Sequence, residues 1–277
     1  MLQRTSLDAF KNKTDVPDDR YNPIFYKAHF QPIVNNDGLI VGVEVLARKK
    51  RENGGIINPD QFIPGLIRKK QTPDLDKQML REACEFLNTL STPSITASVN
   101  LSMRTICSKD IIEEIEKCLR TYGIPRSRIK LEVVEDAFPE AQETRVRAIN
   151  TLKTLQQKGY KIVVDDYGVK ASDIQRIEEI TPDEIKIDPS LLFGHKPDQR
   201  YLEYLLRTDL RQQKPLIIEQ VDTLDKRDKA RQMIGTENIF FQGYLYATPG
   251  GKNKISKLIN DQYDNRKSNL DEHPVIA

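Results

Sequence analysis

The sequence has few of the residues that build zinc sites or disulfide scaffolds. Its 277 residues include only three cysteines and three histidines. Cys84, Cys107 and Cys118 are not at metal-ligand spacing, and the scattered histidines argue against a zinc site. We therefore interpret the cysteines as reduced thiols of a cytoplasmic protein, with Cys84 and Cys118 as core residues of two helices.

Long apolar runs and a strong charge bias are also missing. No run approaches the roughly 20 apolar residues of a membrane span, and the N-terminus lacks the apolar segment of a secretion signal. The 43 basic and 41 acidic residues leave a net charge of +2. This balance gives no reason to expect bulk nucleic-acid binding or membrane binding.

Strand-like and helical patterns alternate along most of the chain. Two apolar runs, at 29–34 and 39–48, flank the turn signal NNDG and predict an antiparallel hairpin. Open doubly wound sheets and closed barrels both fit the later alternation. Seven or eight strands within about 220 residues favour the barrel. We therefore predict an α/β fold, a (β/α)8 TIM-like barrel in which the hairpin contributes one antiparallel strand.

Glycine-rich phosphate fingerprints are absent after the predicted strands, which argues against a nucleotide-binding open sheet. The predicted domain organisation is simple. Residues 1–25 form a polar, loosely ordered leader that is too short for a sensor domain. Residues 26–262 form the barrel, and residues 263–277 form a polar C-terminal tail.

Polar side chains stand at the end of nearly every predicted strand. In a parallel barrel these ends converge on one mouth. Taken singly, each residue has an ordinary interpretation, such as a helix N-cap for Asp222 or a solvated charge for Glu135. Because polar residues recur at the same position in successive strand–helix units, we instead favour a functional site at this mouth. Its candidate residues are Glu44, Asn100, Glu132, Glu135, Asp165, Asp166, Lys186, Glu219, Asp222 and Gln242.

Five of these carboxylates, those of Glu44, Glu132, Asp165, Asp166 and Glu219, would share the mouth with one lysine, Lys186. Such a partly buried cluster is unstable unless cations enter it. The donors are hard oxygens without histidine or cysteine, which selects Mg²⁺ or Mn²⁺. The adjacent pair Asp165 and Asp166 can bridge two such ions, an arrangement used for phosphoester hydrolysis.

The same motifs resemble those of EAL domains, the cyclic di-GMP phosphodiesterases of bacteria. The signature tripeptide stands here as Glu44-Val45-Leu46, with valine in place of alanine. The resemblance runs from about residue 29 to residue 250, in the order expected for the family. Further matching blocks are FQPIV, INPDQFIP, SVNLS, LEVVE, VVDDYG, PDEIKID and QGYLYATP.

The resemblance implies roles for individual residues and cyclic di-GMP as the substrate, opened to linear pGpG. Two Mg²⁺ or Mn²⁺ ions would activate the attacking water, and Lys186 would orient or deprotonate it. Catalysis would involve Lys186, Glu219, Asp166 and Glu135. One ion would be held by Glu44, Asn100, Glu132 and Asp165, and the other by Asp165, Asp166 and Glu219. Gln31, Arg48 and Gln242 would serve the substrate site, with Gln242 and Asp222 also supporting the other residues.

Three departures from the family pattern qualify this picture. Asp222 stands where the family has a second glutamate, and Gln220 stands where it has glycine. The loop after the double aspartate, residues 168–173, lacks the family's threonine, second glycine and aromatic. In the family this loop couples the second metal to a homodimer interface, and Glu135 resembles the glutamate that anchors it.

Three hypotheses follow from these observations. The chain is an active cyclic di-GMP phosphodiesterase, a degenerate member that binds the dinucleotide or a protein partner without efficient turnover, or a metal-using barrel enzyme with another phosphoester substrate. The complete set of candidate ligands favours the first hypothesis, and the altered loop favours the second.

Overall fold

The computed structural model describes residues 22–51, 53–133, 141–168, 173–194, 199–207 and 214–272. The strands are β1 (Tyr26–Val34), β2 (Ile40–Lys50), β3 (Ile56–Ile57), β4 (Thr96–Leu101), β5 (Ile129–Val133), β6 (Lys161–Tyr167), β7 (Glu184–Ile187), β8 (Leu216–Ile218) and β9 (Ile239–Phe241). The helices are α1 (Pro59–Arg68), α2 (Thr72–Asn88), α3 (Met103–Ile106), α4 (Ile111–Tyr122), α5 (Gln142–Gln157), α6 (Asp173–Ile180), α7 (Pro189–Phe193), α8 (Gln199–Arg207), α9 (Leu224–Ile234) and α10 (Lys252–Glu272).

Eight of these strands close into a barrel. The sheet order is β1-β9-β8-β7-β6-β5-β4-β2, and β1 also pairs with β2. Strand β1 is antiparallel to both of its neighbours, whereas the other neighbouring barrel strands are parallel. The short strand β3 extends the sheet outside the barrel, on β2. The predicted barrel and its single antiparallel strand are therefore confirmed, and the open sheet is excluded.

The apolar composition of the strands explains their position. Ile162, Val163 and Val164 are fully buried, because one face of β6 fills the barrel and the other lies under helices. Helix α2 presents an apolar face to the core, because six of its residues at helical spacing are buried. They are Leu75, Met79, Leu80, Ala83, Cys84 and Leu87.

The last helix is longer than the sequence pattern indicated. The sequence analysis placed residues 263–277 in a polar tail, whereas α10 runs to Glu272. Its polar residues are used in contacts: Gln262 Oε1 accepts a hydrogen bond from Ile40 N, and Tyr263 Oη donates to Ile40 O at 3.0 Å. These contacts tie α10 to the start of β2. Within the described ranges, no helix combines the length and apolar character needed to cross a membrane.

Candidate active site

Four carboxylates, on β2, β5 and β6 and directly after β8, surround one buried ammonium group. Lys186 lies on β7, and its side chain is 1% exposed. Its Nζ lies 3.2 Å from Glu44 Oε2, 3.5 Å from Glu132 Oε2, 3.0 Å from Asp165 Oδ1 and 2.9 Å from Glu219 Oε1. The structure thus brings together the acidic ring that the strand ends predicted, with Lys186 at its centre.

Glu44 is held in place by amide side chains. Asn100 Nδ2 donates to Glu44 Oε1 at 3.1 Å, and Gln242 Nε2 donates to Glu44 Oε2 at 2.6 Å. Gln242 Nε2 also donates to Gln31 Oε1, and Gln31 is the residue of β1 directly opposite Glu44 on β2. Strands β1, β2, β4 and β9 therefore meet through one hydrogen-bonded group.

A β-bulge explains how two consecutive aspartates can serve the same mouth. Neighbouring residues of a regular strand point to opposite faces. In the β6–β7 ladder, however, Val164 pairs with Ile185 and Tyr167 pairs with Ile187, so Asp165 and Asp166 together oppose Lys186 alone. Asp166 adopts a left-handed φ of 53° within this irregularity.

The burial of these acids perturbs their ionisation. Burial raises the pKa of Glu132 well above its ordinary value, although Lys186 opposes the shift. Burial likewise raises the pKa of Glu219 to about 8. Burial and then the charge of Asp165 raise the pKa of Asp166 to about 6. Without cations these acids therefore tend to keep their protons, because one ammonium group cannot neutralise all of them.

For Glu44 and Lys186, by contrast, the pKa shifts favour the charged forms. Burial acts to raise the pKa of Glu44, but Lys186 and hydrogen bonds from Gln242 and Asn100 hold it below its usual range. Burial acts to lower the pKa of Lys186, and the surrounding carboxylates raise it well above its ordinary value. Glu44 and Lys186 therefore form the charged centre of the cluster.

The cluster suits divalent cations that prefer oxygen ligands. One carboxylate oxygen from each of Asp165, Asp166 and Glu219 lies within 4.8 Å of the others. Glu132 is fully buried, and its Oε1 has no hydrogen-bond partner within the described part of the chain. A buried carboxylate oxygen without a donor normally requires a cation or a proton. These residues fit Mg²⁺ or Mn²⁺ in donor chemistry and in unbalanced charge.

A cavity of about 390 Å³ opens onto the acidic ring. Glu44, Leu46 and Arg48 line it together, because residues two apart on β2 share a face. Gln31 and the exposed ring of Tyr244 also border it. Arg48 Nη1 donates to the Ala47 carbonyl at 2.8 Å, which places the guanidinium beside the cavity. The three predicted substrate residues, Gln31, Arg48 and Gln242, therefore all line this cavity.

Asp222 is not the helix N-cap that its sequence position suggested; it supports the rim of the site through hydrogen bonds. The N-cap of α9 is Thr223, whose hydroxyl accepts from Lys226 N. Asp222 Oδ1 instead accepts from Tyr244 N at 3.2 Å, and its Oδ2 lies 3.0 Å from Lys226 Nζ. The same ammonium donates to the carbonyl of Gln220 at 2.9 Å. Asp222 thus joins the β8 end to the segment after β9.

Two features escaped the sequence analysis. Lys226 was not singled out, although its spacing of four residues from Asp222 is a recognised signal for an ion pair. The bulge at Asp165 and Asp166 depends on strand register, which no local pattern reports. Two other predictions fall outside the described residues: the role of Glu135 and the conformation of the loop at 169–172.

Two curated relatives are about a quarter identical to this chain over the aligned residues. The probable cyclic di-GMP phosphodiesterase PdeG of Escherichia coli (strain K12) is 26% identical over 264 residues, covering 91% of this chain and 51% of PdeG. The cyclic di-GMP phosphodiesterase PdeF of the same strain is 26% identical over 236 residues, covering 83% of this chain and 30% of PdeF. The chain therefore spans about half the length of PdeG and less than a third of PdeF.

Solved structures share the fold. The EAL enzyme Bd1971, in a form bound to cAMP and cyclic di-GMP, aligns with a TM-score of 0.75 at 22% identity, covering 85% of this chain and 65% of that one. At this identity the similarity supports only a shared barrel fold. The family model of the EAL domain matches residues 26–249, which include every described residue of the acidic ring. The chain belongs to the EAL domain family.

Proposed function

We propose that this chain is a metal-dependent phosphodiesterase that hydrolyses cyclic di-GMP to linear pGpG. The observation that carries the proposal is the ring of Glu44, Glu132, Asp165 and Glu219 around Lys186 Nζ at the barrel mouth. Membership of the EAL domain family and relatives named as cyclic di-GMP phosphodiesterases support this substrate.

Two Mg²⁺ or Mn²⁺ ions are part of the proposal. Bound there, they would supply an activated water nucleophile and would stabilise charge on the phosphoryl oxygens. Glu132 Oε1, which has no hydrogen-bond partner among the described residues, supports a cation at the first position. The clustered oxygens of the two aspartates and Glu219 support one at the second. The first position would be formed by Glu44, Asn100, Glu132 and Asp165, and the second by Asp165, Asp166 and Glu219.

The other residues of the mouth would bind and orient the substrate. Arg48 presents a planar guanidinium whose donors match phosphate oxygens. Gln31 and Gln242 fix the Glu44 side of the site through their shared hydrogen bonds. Lys186 would hold a positive charge beside the reacting phosphate, and Asp222 would keep the Tyr244 backbone at the rim.

A second candidate function is binding of cyclic di-GMP without efficient turnover. Gln220 favours it, because this residue adopts a left-handed φ of 50° beside Glu219. A side chain there is strained, and the carboxylate of Asp222 is one methylene shorter than that of glutamate. A displacement of about 1 Å in such a site can lower a rate about 100-fold.

A direct assay separates these functions. Purified protein is incubated with cyclic di-GMP and either Mg²⁺ or Mn²⁺, and pGpG is quantified by chromatography. Asp165→Asn should abolish turnover, whereas Asp261→Asn, which alters an exposed aspartate of α10, should leave it unchanged. Undiminished turnover in Asp165→Asn would overturn the proposal, and tight binding without turnover in the unaltered chain would establish the second function.

The homodimer and the cytoplasmic location stay predictions from the sequence. The dimer contact implied by the family involves the loop after the double aspartate, and residues 169–172 lie outside the described ranges. Sedimentation of the purified protein with and without Mn²⁺ would test the dimer.

A further inference from the structure

A second cavity lies away from the barrel mouth, between helices α2 and α4. Its volume is about 300 Å³. Leu80 and Ile115 give it apolar walls, while Arg81 of α2 and Lys117 of α4 provide cationic side chains. Cys118 of α4 also lines it, so this thiol borders a space that small molecules can enter.

A second thiol lies directly behind Cys118. Cys84 of α2 is fully buried, and its Sγ lies 3.9 Å from the Sγ of Cys118, within hydrogen-bonding distance for sulfur. Both cysteines are free thiols, and Cys118 is half-buried. One accessible and one buried thiol in contact is the arrangement of an attacking cysteine and its resolving partner.

We propose that Cys118 and Cys84 form a reversible redox pair that a peroxide oxidises to a disulfide between α2 and α4. The thiolate of Cys118 attacks the peroxide, the O–O bond breaks, and Cys118 becomes a sulfenic acid as hydroxide leaves and takes up a proton to form water. The Cys84 sulfur then attacks the Cys118 sulfur, and the S–S bond forms. The sulfenic hydroxyl leaves with the proton of Cys84 as a second water. Two thiols are thereby oxidised, and one peroxide is reduced to two waters.

The surroundings distinguish the two roles. Hydrogen bonding with Cys84 and the nearby Arg81 lower the pKa of Cys118, against the opposing effects of burial and Glu85. Hydrogen bonding with Cys118 and burial raise the pKa of Cys84. Cys118 lines the cavity, whereas Cys84 is fully buried, so a peroxide in the cavity meets Cys118 first and Cys84 resolves.

Bond formation requires a small movement. The sulfur separation must fall from 3.9 Å to about 2.05 Å. The neighbouring cavity borders both helices, so unfilled space for this movement is available beside Cys118. The third cysteine, Cys107, has a different environment, since its sulfur lies 3.9 Å from the Thr144 carbonyl oxygen.

Thiol counting on the full chain tests the pair. Reduced protein, freed of reductant, is treated with hydrogen peroxide, and free thiols, intact mass and tryptic peptides are then measured. We expect two of the three thiols to disappear, the mass to fall by two hydrogens, and a peptide linking Cys84 to Cys118. Dithiothreitol should restore both thiols.

Single variants assign the roles. Cys107→Ser should form the disulfide like the unaltered chain. In Cys84→Ala, Cys118 should stop at the sulfenic acid, which dimedone traps. In Cys118→Ala, Cys84 should resist peroxide. The proposal is overturned if the unaltered chain links Cys107 instead, if Cys118 proceeds to sulfinic acid beside a free Cys84, or if no thiol reacts under conditions that oxidise free cysteine.

Discussion

The Lys186 ammonium lies 3.0 Å from Asp165 Oδ1, at the point where the bulge of β6 faces β7. This contact explains how a core strand can end in two adjacent carboxylates. A lysine in the next strand supplies one positive charge inside the cluster, and the remaining charge is left for cations or protons to neutralise.

The first prediction concerns Lys186→Met. Removing the ammonium leaves buried carboxylates without their cation, so the metal-free protein should lose about 3–5 kcal/mol of unfolding free energy. Mn²⁺ should restore part of this loss, because it neutralises the same acids. Urea unfolding in EDTA and in Mn²⁺ measures both effects.

Lys130→Met is the matched control. Lys130 also forms a largely buried ion pair, with its Nζ 2.6 Å from Glu184 Oε2, but it is not part of the acidic ring. Mn²⁺ should not rescue this variant. Equal rescue of the two variants would show that the metal does not act at the Lys186 cluster.

The second prediction concerns Glu132→Gln. Burial raises the pKa of Glu132 well above its ordinary value, so the metal-free protein must take up a proton at this carboxyl when it folds, and neutral glutamine removes that requirement. In EDTA the variant should be more stable than the unaltered protein by about 1–3 kcal/mol. Its affinity for Mn²⁺, measured by calorimetry, should fall at least about tenfold. A variant less stable in EDTA with normal Mn²⁺ affinity would contradict this account.

The third prediction concerns Gln220→Gly, which removes a side chain from a left-handed position. Relief of strain should raise the unfolding free energy by about 1 kcal/mol. It should also change turnover, because Gln220 adjoins Glu219. Lys70→Gly provides the comparison, since Lys70 has a φ of 61° after α1. It should gain similar stability with unchanged turnover, and equal changes in turnover would refute a local effect.

The fourth prediction concerns Asp76, a buried residue of α2. Its Oδ2 accepts hydrogen bonds from Ser102 N, Ser102 Oγ and Thr105 Oγ1, which anchor the turn after Asn100. Burial raises the pKa of Asp76 from 3.8 to about 6, despite these hydrogen bonds. The folded protein therefore binds this proton more tightly than the unfolded chain.

The raised pKa of Asp76 makes the unfolding free energy of the protein depend on pH. The contribution of Asp76 to stability is fully present below pH 3.8 and is lost as the pH rises through about 6. Asp76→Asn is neutral at every pH. Its unfolding free energy, relative to that of the unaltered protein, should therefore rise by about 1 kcal/mol from pH 5 to pH 8. Asp74→Asn, at an exposed position of the same helix, should show no such gain. Urea unfolding of both variants at pH 5 and pH 8 tests this prediction. Equal gains in unfolding free energy for the two variants would contradict a buried Asp76 that ionises in this range.

Much of the barrel and its mouth could be predicted, because strand alternation and strand-end polarity are local properties. Glu44, Asn100, Glu132 and Lys186 lie where parallel strand ends must converge. The bulge that aligns Asp165 with Asp166 was not predictable, since it depends on pairing with β7. The length of α10 was also missed, because its polar residues bond to the distant start of β2 rather than follow an apolar period.

Anomalous diffraction from crystals grown with Mn²⁺ tests the central claim most directly. The account predicts two manganese peaks at the barrel mouth. One should be bound by Glu44, Asn100, Glu132 and Asp165, and the other by Asp165, Asp166 and Glu219. A mouth without manganese at concentrations that support turnover, or peaks confined to other parts of the molecule, would contradict it.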